Sequence, residues 1–167
     1  NPRGEVPVLV DGDLTLRDSS AILVYLANKY PTGSWWSQGA AEQAAIMEWL
    51  AFAASWVQYG VFTARAIVSF GISGNGIPHD FTEDITPSTI RGQRSLEILD
   101  EHLSSREWLA CGRPTIGDIA VFPYVALAPM GNIPLDPYTS VQAWIKRLRA
   151  LPGFIAIAGL DDAEYRK

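Results

Sequence analysis

Residues 4–26 of the chain read GEVPVLVDGDLTLRDSSAILVYL. Two apolar runs, 8–10 and 14–16, flank Asp11-Gly12-Asp13, and an Asp-Gly pair between apolar runs predicts a β-hairpin. A lone two-stranded hairpin is marginally stable in water, because an independent sheet needs about three strands or a covering helix. We therefore expect this hairpin to belong to a larger sheet.

The segment after the hairpin has the pattern of a capped helix. Residues 18–20 (Asp-Ser-Ser) offer side-chain oxygens for an N-cap, and apolar residues continue at helical spacing to about Tyr30. Such a helix start presents free N–H groups and a favourable dipole to an anion. Pro7 stands at the entry to the first strand, where the main chain of Val6 is free to pair with an extended peptide. Together these features predict a slot for a small peptide with a carboxylate; the alternative is a capped helix beside an edge proline with nothing bound.

The character of the sequence changes near Gly33, which divides the chain into residues 1–33 and 34–167. The second part is predicted to be helical. Residues 40–70 have two apolar stripes at steps of three and four, so they predict one long helix with two packed faces. One face would meet the domain core and the other a neighbouring subunit or a ligand cleft; the simpler alternative is a central helix buried within one bundle. The first stripe contains Ile46, Trp49, Leu50, Ala53, Val57 and Val61, and the second contains Phe52, Trp56, Tyr59 and Thr63.

The rest of the chain alternates a loop with further helices. Residues 71–85 are rich in Gly, Pro, Ser and Asp and predict a loop. Three helices are predicted after it: Thr86 to near Ser105, Thr115 to about Ala128 with a bend at Pro123, and Ser140 to Leu151.

Composition argues against several classes of partner. Thirteen basic and eighteen acidic side chains give a net charge of -5, so no basic field is available to bind nucleic acid or anionic lipid. The single cysteine, Cys111, has no partner for an internal disulfide, and no Asn-x-Ser/Thr acceptor occurs, which favours a cytoplasmic location. No window approaches the about 18–20 apolar residues of a membrane span, so no membrane association is expected.

The familiar signatures of metal, nucleotide and cysteine chemistry are weak in this chain. His79 and His102 have no partners at metal-ligand spacing, so no metal site is predicted. Gly74-x-Gly76 has His79 where a dinucleotide loop needs its third glycine. Cys111 has no histidine near it in sequence and is interpreted as a packing residue, with a nucleophilic role as the alternative.

Four motifs follow one another along the chain: Asn1-Pro2-x-Gly4-x-Val6-Pro7-x-Leu9, then Asp18-Ser19-x-Ala21-Ile22-x-x-Tyr25-Leu26, then Thr115-x-x-Asp118-Ile119-Ala120, and finally Trp144 with Leu148, Leu151, Pro152, Gly153 and Phe154. In this order they resemble the glutathione S-transferase superfamily. The resemblance implies an α+β protein, with a partial thioredoxin-like N-terminal region (a β-hairpin plus a helix) followed by an all-α helical domain. Residues 1–33 would be the C-terminal part of the thioredoxin-like glutathione-binding domain, and residues 34–167 the helical domain.

The resemblance also assigns contacts to glutathione. Val6 would bond the cysteinyl part of glutathione through its main chain, ahead of a cis Pro7. Ser19 would hold the γ-glutamyl carboxylate through its hydroxyl and N–H, and Asp18 would meet the γ-glutamyl amine.

Two further groups of residues receive roles. A hydrophobic co-substrate would lie against the helical domain, where Trp56, Tyr59 and Arg65 are the candidates. Thr115 and Asp118 would form a structural capping box and take no part in catalysis.

The activity implied by the resemblance is conjugation of the glutathione thiolate to small hydrophobic electrophiles, by a homodimer without a metal. In the family, a Tyr, Ser or Cys near the first strand lowers the pKa of the thiol from about 8.5. We expect that first β-α-β unit to lie upstream of Asn1, so that no residue of this chain can be named as catalytic and the isolated chain does not conjugate glutathione. The alternatives are a non-catalytic binding or scaffold protein with the same fold, and a truncated chain that merely folds.

Overall fold

A short hairpin and a set of packed helices form the part of the chain that the computed structural model describes, namely residues 2, 4, 6–31, 33–71 and 85–161. The predicted loop at 71–85, including His79 and Gly74-x-Gly76, lies outside this part except for its two end residues. In chain order the elements are β1 (Leu9–Asp11), β2 (Leu14–Leu16), α1 (Ser19–Lys29), α2 (Ala40–Phe52), a π-helical segment (Ala53–Phe62), α3 (Thr63–Phe70), α4 (Thr86–Leu103), α5 (Ile116–Ala126), a 3₁₀ turn (Ala128–Gly131) and α6 (Thr139–Arg149).

The predicted hairpin is confirmed. Strands β1 and β2 are antiparallel, with Leu9 opposite Leu16, and Gly12 takes the left-handed conformation that its turn requires (φ 58°). Asp11 at the end of β1 accepts a hydrogen bond of 2.7 Å from the hydroxyl of Tyr25 and pairs with Lys29. The hairpin is therefore joined to α1 through polar contacts, and Lys29 and Tyr25 together hold the pKa of the Asp11 carboxyl below its usual value.

The helix predicted over residues 40–70 is continuous but changes its winding. Between α2 and α3, residues 53–62 are π-helical, and the N–H of Thr63 bonds to the carbonyl of Gln58, five residues back. The first predicted stripe forms core: Ile46, Val57 and Val61 are completely buried. Side chains of the second stripe stay partly exposed, because the helix packs on α4 and α5 and leaves its remaining side uncovered.

Helices α4 and the π segment approach each other closely at two glycines. A Cβ atom added at Gly60 would lie 2.8 Å from both the Cα and the N of Gly92. Beside this contact, the buried Ser95 hydroxyl donates to the carbonyl of Gly92 at 2.7 Å. The two backbones are therefore in direct contact, which any larger side chain would separate.

The N-terminus of α5 lies in the core and is capped by its own residues. Both bonds of the predicted capping box are present, and the N–H of Thr115 donates to Asp118 Oδ2 at 2.9 Å. The carboxylate also accepts from two distant donors, the N–H of Leu109 at 3.1 Å and the indole Nε1 of Trp144 at 2.9 Å. Asp118 is completely buried. Burial raises the pKa of this carboxyl, and its hydrogen bonds offset part of the rise.

Helix α1 is held against the helical bundle by a second, smaller cluster of buried residues. Apolar side chains of α1 pack on α2 and on the start of α5; they are Leu23, Val24 and Ala27, against Ile46, Leu50, Ala110 and Ile116. Arg113 holds the segment between α1 and α2 in place. It makes a two-pronged ion pair with Glu42 of α2 and donates to the carbonyl of Ser34 at 3.1 Å. Within the described ranges, none of the helices is long and apolar enough to span a membrane.

Candidate functional site

The main chain of Val6 is open for pairing. The Val6–Pro7 peptide bond is cis, as the resemblance implies. Val6 lies three residues before Leu9, where β1 begins, and so lies outside the β1–β2 ladder. The residue is 88% exposed. Among the described residues, no hydrogen bond uses its N–H or its carbonyl. An extended peptide can therefore bind to both groups in the manner of an added strand.

The N-terminus of α1 presents two free donors. Asp18 is the N-cap, and its Oδ1 accepts from the N–H of Ala21 at 2.9 Å. The N–H groups of Ser19 and Ser20 have no acceptor among the described residues, and the side chain of Ser19 is exposed. Two N–H groups, a serine hydroxyl and the helix dipole suit a carboxylate. The second oxygen of Asp18 has no role in the cap and is available to a cationic amine.

Tyr124 lies on α5, the helix of the bundle on which α1 packs. It packs edge-on against Phe62, one turn before Arg65 on the same continuous helix, with ring centroids 5.2 Å apart. Burial raises the pKa of the Tyr124 phenol most strongly; the negative charge of Asp18 raises it further, and the positive charge of Arg65 lowers it. No motif of the sequence singles out Tyr124, although it is the one hydroxyl-bearing side chain on the otherwise apolar run 119–126.

The three candidate co-substrate residues have different neighbours. Trp56 stacks with Phe52, with ring centroids 6.4 Å apart, and lies under the guanidinium of Arg91 from α4 at 4.6 Å. Tyr59 is 62% exposed. Arg65 follows Phe62 by one turn of the helix, and Phe62 packs on Tyr124 of α5. The three candidates therefore do not share one set of neighbours.

The single cysteine lies in a cleft of about 500 Å³ formed with His102, Trp49 and the segment 105–112. Cys111 is half-buried, and burial raises the pKa of its thiol, which disfavours the nucleophilic thiolate. The Nε2–H of His102 donates to the carbonyl of Leu109 at 2.9 Å, so the ring has a structural partner. Among the described residues, no group of His, Cys, Asp and Glu is placed to hold a metal ion.

Two family models match different parts of this chain. The glutathione S-transferase N-terminal domain matches residues 1–35, and the glutathione S-transferase C-terminal domain matches residues 89–147. Glutathione S-transferase verG of Clonostachys rogersoniana is 31% identical over 172 residues, which cover 96% of this chain and 70% of that protein. The chain belongs to the glutathione S-transferase family.

Other members of the family extend the comparison. A glutathione S-transferase structure from Xanthobacter autotrophicus Py2 superposes with a TM-score of 0.83 at 31% identity, over 96% of this chain and 76% of that one. The dichloromethane dehalogenase of Methylophilus leisingeri is 29% identical over 89% of this chain, which spans 57% of the length of that relative. The partial thioredoxin-like region and the helical domain of this family member thus agree with the fold implied by its motifs.

Proposed function

We propose that this protein binds glutathione between Val6 and the N-terminus of α1 and conjugates its thiolate to small hydrophobic electrophiles. The observation that supports this best is that the main chain of Val6 and the N–H groups of Ser19 and Ser20 all lack a hydrogen-bond partner among the described residues. Glutathione offers an extended backbone for the first and a carboxylate for the second. Family membership supports glutathione as the co-substrate.

In the proposed complex three polar parts of glutathione have a complementary partner in this chain. The γ-glutamyl carboxylate lies at Ser19, the γ-glutamyl amine at the free oxygen of Asp18, and the cysteinyl main chain at Val6, ahead of Pro7. The sulfur then attacks an electrophilic carbon, a C–S bond forms, the leaving group departs with its electron pair, and the thiol proton passes to solvent. The co-substrate lies on the side of Arg65 and Tyr124.

Ser19→Ala should weaken glutathione binding. The variant removes a hydroxyl that faces an anion at a helix start, and a hydrogen bond to a charged partner contributes about 1.5–3 kcal/mol. We therefore expect the Kd for glutathione to rise by roughly tenfold to a hundredfold in calorimetric titration, since about 1.4 kcal/mol corresponds to a factor of ten.

Ser20→Ala is the matched control for this experiment, because it removes the same group one residue further along the helix and should change the Kd by less than about threefold. The melting temperatures of both variants should equal that of the wild type, since neither hydroxyl makes a hydrogen bond within the described residues. Equal glutathione affinities of Ser19→Ala and wild type would reject the assignment.

We propose that the protein acts as a homodimer in which the side of the long helix around Tyr59 meets the second copy.

A measurement of turnover distinguishes the enzyme from a non-catalytic binding or scaffold protein. The test is the rate of conjugation of glutathione to 1-chloro-2,4-dinitrobenzene, followed by absorbance on the protein expressed from its complete reading frame. A rate well above the uncatalysed reaction supports the enzyme. Glutathione binding without any such rate supports the non-catalytic binding protein.

A further inference from the structure

Three arginines of this chain have a buried Nε atom that lacks a hydrogen-bond partner among the described residues: Arg17, Arg65 and Arg91. The charge of Arg91 is compensated by the face of Trp56, at 4.6 Å from the ring centroid. Among the described residues, Arg65 has just the weaker face of Phe70, at 5.2 Å, and that phenylalanine is itself 52% exposed. Arg65 is thus a half-buried cation with little internal compensation.

The backbone that carries Arg65 is held rigidly. A Cβ atom added at Gly131 would lie 2.6 Å from the N of Arg65, so the 3₁₀ turn is in direct contact with α3. One turn further along α3, the hydroxyl of Ser69 donates to the carbonyl of Met130 at 2.7 Å. These two contacts fix the position from which the guanidinium extends.

The surroundings of Arg65 favour an anion. No carboxylate within the described ranges forms an ion pair with it, and burial lowers its pKa, which reflects the cost of removing its charge from water. Tyr124 packs edge-on against Phe62, one turn before Arg65 on the same continuous helix, with ring centroids 5.2 Å apart, and its hydroxyl makes no hydrogen bond with a described residue. A guanidinium with free N–H groups and a neighbouring O–H together match the oxygens of a carboxylate.

We propose that Arg65 and Tyr124 bind a carboxylate on the electrophilic co-substrate, so that this protein prefers aromatic electrophiles with an anionic substituent over neutral ones. This inference rests on the proposed function, which puts the co-substrate beside glutathione at the N-terminus of α1. It adds a substrate class that hydrophobic contacts alone do not select.

Binding, measured without turnover, tests the proposal. S-methylglutathione is first titrated alone, to saturate the glutathione site with an unreactive analogue. The probes are then 4-chloro-3-nitrobenzoate and the neutral 4-chloro-3-nitrobenzamide, which differ only in the charged group, titrated calorimetrically into the saturated protein. We expect the wild type to bind the benzoate at least about tenfold more tightly than the amide.

The variants assign that preference to the two side chains. Arg65→Met should abolish the preference for the benzoate over the benzamide. Arg65→Lys should retain part of this preference, because the charge stays but the planar guanidinium is lost. Tyr124→Phe should reduce the preference severalfold. Arg94→Met is the matched control: Arg94 is an exposed arginine of α4 paired with Glu97, and its loss should leave the preference unchanged.

Two results would overturn the proposal: equal affinities of the wild type for both probes, or a preference that survives Arg65→Met. A third would reassign the arginine to glutathione itself, namely an equal fall in the affinities for S-methylglutathione and for the benzoate in Arg65→Met. The titration of S-methylglutathione alone tests the proposed function separately. If this analogue does not bind the wild type, the proposed function is refuted.

Discussion

Asp118→Ala should lower the free energy of unfolding by about 3–5 kcal/mol, because it leaves several buried donors without an acceptor at about 1–3 kcal/mol each. The donors are the N–H and the hydroxyl of Thr115, the N–H of Leu109 and the indole N–H of Trp144, all within 3.1 Å of the carboxylate. Because Asp118 is completely buried, water has no ready access to replace these bonds. Urea unfolding followed by tryptophan fluorescence measures the loss.

The same variant distinguishes structure from binding. Asp118 lies at the start of α5 and contacts neither Val6 nor Ser19, so the glutathione affinity of the folded fraction should stay within about twofold of wild type. Asp136→Ala is the control, because this carboxylate is exposed and a surface substitution of this kind changes stability by about 0.5 kcal/mol or less. Wild-type stability combined with lost glutathione binding would show that Asp118 belongs to the binding site.

Gly60→Ala should destabilise the protein by about 3 kcal/mol, at the upper end of the usual cost of overpacking a core. The new Cβ would lie 2.8 Å from main-chain atoms of Gly92, and a main chain has no alternative rotamer with which to relieve the contact. The π segment and α4 would have to move apart, which loosens the core around Val57 and Val61. The gain in helix propensity from alanine, about 1 kcal/mol, offsets only part of this cost.

The control for this substitution is Gly39→Ala, at the N-cap of α2. There the nearest atom to the new Cβ is the hydroxyl oxygen of Ser37 at 3.7 Å, so only the capping preference changes, by about 1 kcal/mol or less. Unfolding midpoints in urea compare the two variants. If Gly60→Ala unfolds at the same midpoint as Gly39→Ala, the helices separate freely and the close approach is not required.

The sequence alone predicted those features whose atoms come from residues close together in the chain. The turn at Gly12, the cap at Asp18 and the box of Thr115 and Asp118 each join atoms no more than three residues apart, so residue type and spacing specify them. The helical spacing of Ile46, Val57 and Val61 likewise predicted their burial, since one face of a helix must pack.

The remaining features depend on residues far apart in the chain. Trp144 reaches Asp118 across 26 positions, and Gly60 meets Gly92 only because α4 folds back along the π segment. The π segment itself was not predicted, because apolar steps of three and four fit an α-helix equally well. For the same reason Tyr124 was missed: its contact with Phe62, one turn before Arg65, requires α5 to pack on the long helix, and no local pattern encodes that packing. Hydrogen bonds and caps follow from neighbouring residues, whereas the surroundings of Arg65 follow from which helices bury their apolar faces against one another.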